Sequence, residues 1–388
     1  GGFGSTKEPE RVLKAADKAV DFIVMGEGEL TFLELLQQFE KSVQDFHNVN
    51  GLAFLDKQGN LTFTKPRDYI RNLSSLPWPA YHLIYPAFSE YGGVHGPYQE
   101  LKHPSGVLLT SRGCPHRCTF CSLGSRMYRE REIKDVVDEI EFYKNNFGVK
   151  SIQIYDDEFI GLSPKQNERV EAMCDEIIKR GLHKSLAFWV QGRCSQFIRL
   201  ETLRKMRAAG IAWVAWGVES GSQKILDSIK KDIKVENVIK DFALTKKAGI
   251  KSLAFIMVGF PGETPADINL TARLVKKIKP EITRFHIVTP YPGSELRKYL
   301  DECNLLETTD DYKFDTRINV IHHTKEMTAE EIKKYYKLLV FRFENSRWYY
   351  VKFLAKSLIS VDGWKKLLKR SGIIRDYLLG WRVLAQKS

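Results

Sequence analysis

The chain has 388 residues, of which 43% are hydrophobic and 28% charged, the balance of a globular protein with room for two or three domains. No apolar run approaches the roughly 18 residues a membrane helix needs, and no charged-then-apolar leader opens the chain. Six cysteines, three of them within eight positions, argue against a disulfide scaffold and for a reducing, cytoplasmic setting. The net charge is +12, and from Asn345 onward ten Lys or Arg face two acids, Asp362 and Asp376, a local excess of +8.

The first residue is Gly1, not Met, which suggests a fragment or processed chain. Residues 11–40 read as helix, strand, helix. The apolar run Phe22 to Met25 predicts a strand, and Gly26 to Gly28 a turn. Phe32, Leu35, Leu36 and Phe39 fall on one predicted helical face. "GLAFLDKQGNLTFTK" predicts a hairpin turning at Gly59-Asn60. Pro77, Pro79 and Pro86 make "LSSLPWPAYHLIYP" an extended connector.

From Gly106 an apolar strand alternates with an amphipathic helix. The helices stop at Gly148, Gly181, Gly210 and Gly249, where glycine adopts the left-handed cap without steric cost. Six strands are expected: "GVLLTSRG", "KSIQIYDDEF", "SLAFWVQGR", "IAWVAWGVES", "IKSLAFIMVGF" and "ITRFHIVTPYP". That alternation predicts a parallel sheet flanked by helices, either open or curled into a barrel. From Thr328 only helical signals follow, starting with Thr328 and Glu331 at capping-box spacing. The tail carries Trp348, Tyr349, Tyr350, Phe353, Trp364, Tyr377 and Trp381. It reads either as a helical subdomain with its aromatics inside or as a basic surface for anionic lipid, nucleic acid or an acidic partner.

Cys114, Cys118 and Cys121 form C-x3-C-x2-C just after the first strand of the α/β region. Thiolates at this density bind a soft metal or an iron–sulfur cluster. Carboxyl ends of parallel strands are where such folds carry active sites. A structural zinc site normally needs a second cysteine pair. None exists: Cys174 sits on an apolar helical face with Met173 and Ile177, Cys194 follows a strand and either faces the site or does not, and Cys303 lies beyond the last strand. His116, the remaining candidate ligand, would have to fold back within its own loop. Three thiolates on a four-iron cluster leave one iron open, and an open position distinguishes a catalytic centre from a structural one.

This motif, with Phe120 before its last cysteine, resembles the radical SAM superfamily across roughly residues 105–300. The resemblance implies a partial (β/α)6 TIM-like barrel and a [4Fe-4S] cluster on Cys114, Cys118 and Cys121. It also implies S-adenosylmethionine chelated at the open iron and cleaved to a 5′-deoxyadenosyl radical. Asp156, Asp157 and Glu158 stand where the family binds the methionyl amino group, although its Gly-Gly-Glu is not literal here and solvated turn residues are the alternative. Glu219 in "WGVESG" resembles the ribose-binding acid. Arg193 suits the methionyl carboxylate or, alternatively, a surface salt bridge. Gly259 in "FIMVGFPGET" resembles the adenine-side glycine, and "VTPYPGSEL" the last adenine-side loop.

The N-terminal "GG", then "DFIVMGEGELTFLELL" and "LPWPAY", resemble the end of a Rossmann-like cobalamin-binding domain and its connector. Gly1 and Gly2 match the glycines lining the cobalamin tail, while the family's Asp-x-His-x-x-Gly stretch is absent. The expected organisation is therefore a remnant of that domain over 1–73, a connector over 74–104, the barrel over 105–300 and a helical basic region over 301–388. The resemblance implies cobalamin in the full-length protein, methyl transfer or ring formation, and a small, bulky hydrophobic substrate. It further implies a flavodoxin- or ferredoxin-type reductant, with no nucleic acid and with peripheral membrane contact through the tail as an option. A cobalamin-independent radical SAM enzyme is the first alternative. A zinc-stabilised nucleic-acid-binding module is the second, and it predicts no response to S-adenosylmethionine. Methylthiotransferases for transfer RNA fit less well, since no cysteine precedes Cys114.

Overall fold

The computed structural model describes residues 3–16, 19–41, 45–83, 101–122, 127–308 and 319–344. Gly1, Gly2, residues 84–100 of the connector and the basic aromatic tail from residue 345 lie outside the described residues.

The N-terminal unit packs helices α1 (Phe3–Lys7), α2 (Pro9–Ala15) and α3 (Glu29–Phe39) with a three-stranded antiparallel sheet. Its strands are β1 (Ile23–Val24), β2 (Leu52–Leu55) and β3 (Leu61–Phe63). β2 and β3 form the expected hairpin, in register Phe54↔Thr62. The turn works because Gly59 takes φ +83° and the Asp56 carboxylate accepts the amide N–H of Gln58 and of Asn60. The expected apolar face of α3 is only partly correct. Leu35 packs against Val49, Leu52 and Phe54, and Thr31 and Gln38 are the other buried positions. Phe32, Leu36 and Phe39 stay about half exposed, at 53%, 46% and 50%. The helix carries two apolar stripes, and the small sheet covers only one of them.

Strand β4 (Ser105–Leu108) starts the larger unit, followed by a short ribbon, β5 (Ser111–Arg112) with β6 (Arg129–Glu130). Then come α4 (Ile133–Phe147), β7 (Ser151–Ile154), α5 (Pro164–Lys179) and β8 (Ala187–Arg193). Next are α6 (Leu200–Ala208), β9 (Ile211–Glu219), α7 (Gln223–Ser228), α8 (Val235–Lys247), β10 (Lys251–Val258), α9 (Pro265–Ile278) and β11 (Ile282–Ile287). The six-stranded sheet is wholly parallel and runs β4-β7-β8-β9-β10-β11, so spatial order follows chain order. That order settles what spacing left open. A doubly wound sheet reverses direction at a switch point. Right-handed crossovers without reversal put every helix on one face, and the twisted sheet curls. No bonds join β4 to β11, which makes it a partial barrel.

The four predicted glycine stops take φ values of +60°, +67°, +93° and +75°. The next helix ends without one, on Lys279 at φ +47°. Outward-facing strand residues such as Ile152, Phe188, Val214 and Ile256 meet the helices in one large core. Trp189, Trp213, Ala215 and Leu253 fill the inside of the curl. Cys174 is in the outer core, as expected. Cys194 is also there, fully buried, so it does not face the site. Position 194 lies one residue past β8, where alternation turns its side chain outward.

After β11, helix α10 (Glu295–Glu302) leads to α11 (Ala329–Leu339), which starts with both arms of the Thr328–Glu331 capping box. Leu305, Met327, Ile332 and Leu339 join the barrel's core. The Glu344 carboxylate accepts the Phe285 amide N–H at 2.5 Å, satisfying part of the β11 edge. Among the described residues no helix is long and apolar enough to cross a membrane.

Candidate active site

The cysteine loop begins directly after β5 and lies across the carboxyl ends of the strands. Backbone bonds hold it in place. The Thr119 N–H donates to the Ile229 carbonyl at 3.0 Å, and the Leu296 N–H to the Thr119 carbonyl at 2.8 Å. The Cys121 N–H turns back onto the Cys118 carbonyl at 3.1 Å, and the Phe120 ring packs 5.7 Å from that of Phe260. None of the three loop cysteines forms a disulfide, and all three lie at intermediate exposure. Burial, then the Glu158 carboxylate, pushes the Cys114 thiol up to about 12.

The acidic stretch at the end of β7 divides into three roles. Asp156 is fully buried and accepts the Thr110 N–H at 2.6 Å together with the hydroxyls of Thr110 and Ser111. It ties the end of β4 to β7 and has no direction left for a ligand. Asp157 accepts the Gly113 N–H at 3.0 Å, fixing the residue before Cys114. Glu158 sits 3.9 Å from the Cys114 sulfur, with its Oε1 buried and unpartnered. Burial pushes its carboxyl up to about 7, against the pull of Arg193 and Lys231.

Arg193 ends β8, 4% exposed, with Nη1 3.9 Å from the Cys118 sulfur and Nη2 buried without a partner. Its carbonyl oxygen leaves no room beside Gly161, where a Cβ would lie 2.1 Å away. Glu219 ends β9 at φ +62°, a backbone region costly for a non-glycine residue and characteristic of functional sites. Its Oε1 accepts from Lys231 Nζ at 2.6 Å, while Oε2 is buried and unpartnered. Gly217 makes that pair possible, because a Cβ there would stand 2.9 Å from both Glu219 Oε1 and Lys231 Nζ. Lys231 has no sequence signal of its own; only its burial at 8% exposure beside Glu219 marks it.

Gly259 takes φ +94° at the end of β10. Its N–H donates to Glu263 Oε2 at 2.6 Å, and its carbonyl meets His322 Nε2 at 2.8 Å. A Cβ there would come within 3.0 Å of Ile332, so the glycine is also required by packing against α11. His116, weighed above as a ligand, is held neutral: burial, then Arg193 and Lys231, lowers its imidazole to about 4. Among the described residues no three His, Cys, Asp or Glu side chains close on one point to hold a single metal ion.

Glu158 Oε1, Arg193 Nη2 and Glu219 Oε2 are buried orphans of both signs around the cysteine loop. Buried polar atoms without partners are costly, and these fit a zwitterionic, hydroxyl-bearing ligand. A parallel partial barrel with a thiol triad and buried charges gathered at its strand ends has the layout of a barrel-type active site.

Comparison with known proteins gives that layout a family. The sequence profile of the Radical SAM superfamily matches residues 108–275. An uncharacterised methyltransferase of Pyrococcus horikoshii is 30% identical over 97% of this chain and 78% of its own length. The chain belongs to the radical SAM superfamily. It is also 29% identical, over 98% of its length, to an anaerobic magnesium-protoporphyrin IX monomethyl ester cyclase of Cereibacter sphaeroides, of which it spans 58%. Among solved structures, the cobalamin-dependent S-adenosylmethionine radical enzyme OxsB overlays 98% of this chain and 58% of its own at a TM-score of 0.68, with 17% identity. The radical S-adenosylmethionine methyltransferase TsrM from Kitasatospora setae gives 0.62 over 79% and 58%, with 21% identity. Both confirm the fold.

Proposed function

We propose that Cys114, Cys118 and Cys121 hold a [4Fe-4S] cluster beside a bound S-adenosylmethionine, and that the full-length protein uses cobalamin for methyl transfer or ring formation. The carrying observation is the thiol loop facing three orphaned buried groups, Glu158 Oε1, Arg193 Nη2 and Glu219 Oε2. Together the bound cofactors supply one-electron chemistry that creates a radical at an otherwise inert carbon. Arg193 pairs with a carboxylate, Glu158 accepts from an ammonium, and Glu219 accepts from ribose hydroxyls. Lys231 holds Glu219 in place and balances its charge. Gly1 and Gly2 belong to the cobalamin side of the reading, and Gly259 to the adenine side.

The inner face of the barrel beyond these charges carries aromatic and aliphatic side chains interspersed with Gln153, Gln191 and His286. Val107 and Leu109 are 52% and 41% exposed, and Tyr155 packs 5.2 Å from the Trp189 ring. Such a wall suits a bulky hydrophobic small molecule and excludes water from the reacting carbon. A flavodoxin- or ferredoxin-type protein supplies the electron. Cobalamin use draws support from the likeness to OxsB, and the choice between methyl transfer and ring formation from the names of the two sequence relatives.

The test is anaerobic reconstitution with iron and sulfide, then reduction with S-adenosylmethionine present. The expected result is iron–sulfur absorbance and release of methionine with 5′-deoxyadenosine, both abolished by Cys118→Ala. A colourless, zinc-loaded protein that never cleaves S-adenosylmethionine would overturn the reading. Cobalamin binding by the full-length protein is a separate titration.

A further inference from the structure

The ribbon of β5 and β6 brackets the cysteine loop, and one of its two facing pairs is arginine on arginine: Arg112 opposite Arg129, beside Ser111 opposite Glu130. Like charges directly opposite each other in a two-stranded ribbon repel. Arg129 is also 7% exposed, so its charge cannot be left to water. The compensation comes from outside the barrel. Glu27, in the Gly26–Gly28 turn of the N-terminal unit, accepts from Arg129 Nη1 at 2.8 Å and Nη2 at 2.7 Å. The same carboxylate accepts the Ile70 N–H at 3.0 Å and lies 3.6 Å from Arg112 Nη1. Glu29 takes the other side of Arg112 at 2.7 Å. The Tyr69 ring, 4.7 Å away, and the Ile70 carbonyl, at 2.8 Å, complete the pocket around Arg129.

We propose that Glu27 is a positioning residue for the cysteine loop: it clamps the N-terminal unit onto the Arg112–Arg129 pair and so fixes where the loop leaves the barrel. Arg112 is two residues before Cys114, and Asp157 holds the intervening Gly113 by its N–H. The loop therefore leaves β5 pinned from the barrel side by Asp157 and from the N-terminal side by Glu27. The consequence for the cluster rests on the reading of the three cysteines given above; the clamp itself does not.

The test compares Glu27→Gln with the unaltered protein and with Glu34→Gln. Glu34 pairs with Arg67 inside the same N-terminal unit, and among the described residues no side-chain hydrogen bond or ion pair links it to the barrel. The first measurement is the rate at which reconstituted protein loses iron to a ferrous chelator. The second is hydrogen exchange of amides 111–122 in the iron-free protein. Glu27→Gln should lose iron about tenfold faster or more, and speed exchange over 111–122 by a larger factor than over the central strands of the barrel, beyond what its lowered thermal midpoint accounts for. Glu34→Gln should change neither. The double variant Glu27→Gln/Arg129→Met should recover part of the loss, because no unpaired buried cation remains.

Iron loss and exchange equal to the unaltered protein would overturn the proposal, as would an equal effect from Glu34→Gln. Should Glu27→Gln fail to fold, Arg112→Gln serves instead. It sits at the more exposed end of the clamp, and a smaller acceleration of both measurements is expected there, with no change counting against the clamp. If the unaltered protein takes up no cluster, the cysteine reading fails, and the exchange measurement alone decides the clamp.

Discussion

Replacing Lys231 with methionine tests the charged ring around the site most directly. Lys231 Nζ and Glu219 Oε1 lie 2.6 Å apart, with side chains 10% and 6% exposed. Removing one member of such a pair leaves an uncompensated buried charge and costs about 3–5 kcal/mol, whereas neutralising both is often nearly neutral. Lys231→Met and Glu219→Gln should each lower the unfolding free energy by about that amount. The double variant should recover at least about 2 kcal/mol of the summed loss. The assay is urea unfolding of the iron-free chain followed by circular dichroism. The pH dependence has a definite sign. Burial pulls the Lys231 ammonium down, the Glu219 and Cys118 charges and the Glu219 hydrogen bond together outweigh it, and the folded value ends above the ordinary 10.5. The contribution is therefore fully present below 10.5 and lost only as pH rises through the higher folded value. The Lys231–Glu219 pair itself adds no slope at neutral pH, but Lys231 also pulls on Glu158, so the penalty of Lys231→Met should grow as pH rises through about 7. Single-variant costs below about 1 kcal/mol, or strictly additive effects, would refute the buried pair.

Three further outcomes follow from the same geometry. Gly161→Ala should destabilise the chain by more than about 2 kcal/mol and displace Arg193, since its Cβ would stand 2.1 Å from the Arg193 carbonyl; thermal melting checks it. Burial raises the Glu263 carboxyl to about 8, despite bonds from Gly259 and Phe260, so the folded chain holds an extra proton between the ordinary 4.5 and that value. Stability should fall as pH rises through this window, by at most about 1.4 kcal/mol per unit from this group, and Glu263→Gln should flatten its share. The similar slope from Asp241, raised to about 7, should persist in that variant. Glu219→Ala should weaken S-adenosylmethionine binding measured by equilibrium titration; unchanged affinity would remove its ribose role.

Much of the barrel was legible before any coordinates. The glycine stops at 148, 181, 210 and 249 are single-residue requirements of backbone sterics, and all four take positive φ. Strand alternation and helical periodicity are equally local, as is the three-cysteine spacing that sets a loop's capacity for a metal centre. These features depend on near neighbours in the chain, so reading along it recovers them.

Folding alone decided the rest, because desolvation and charge pairing act between residues distant in sequence. In "YDDEF" three adjacent acids look alike, yet Asp156 is consumed by Thr110 and Ser111, Asp157 is exposed and holds Gly113, and of the three only Glu158 keeps a buried, unpartnered oxygen, beside Cys114. Periodicity could not say that the small sheet would cover Leu35 of α3 and leave Phe32 and Leu36 half exposed. Nor could it find Lys231 under Glu219, or Glu27 reaching Arg129 across 102 positions. A carboxylate or an ammonium carries its charge anywhere in a chain; what that charge does depends on which opposite charge the fold buries with it.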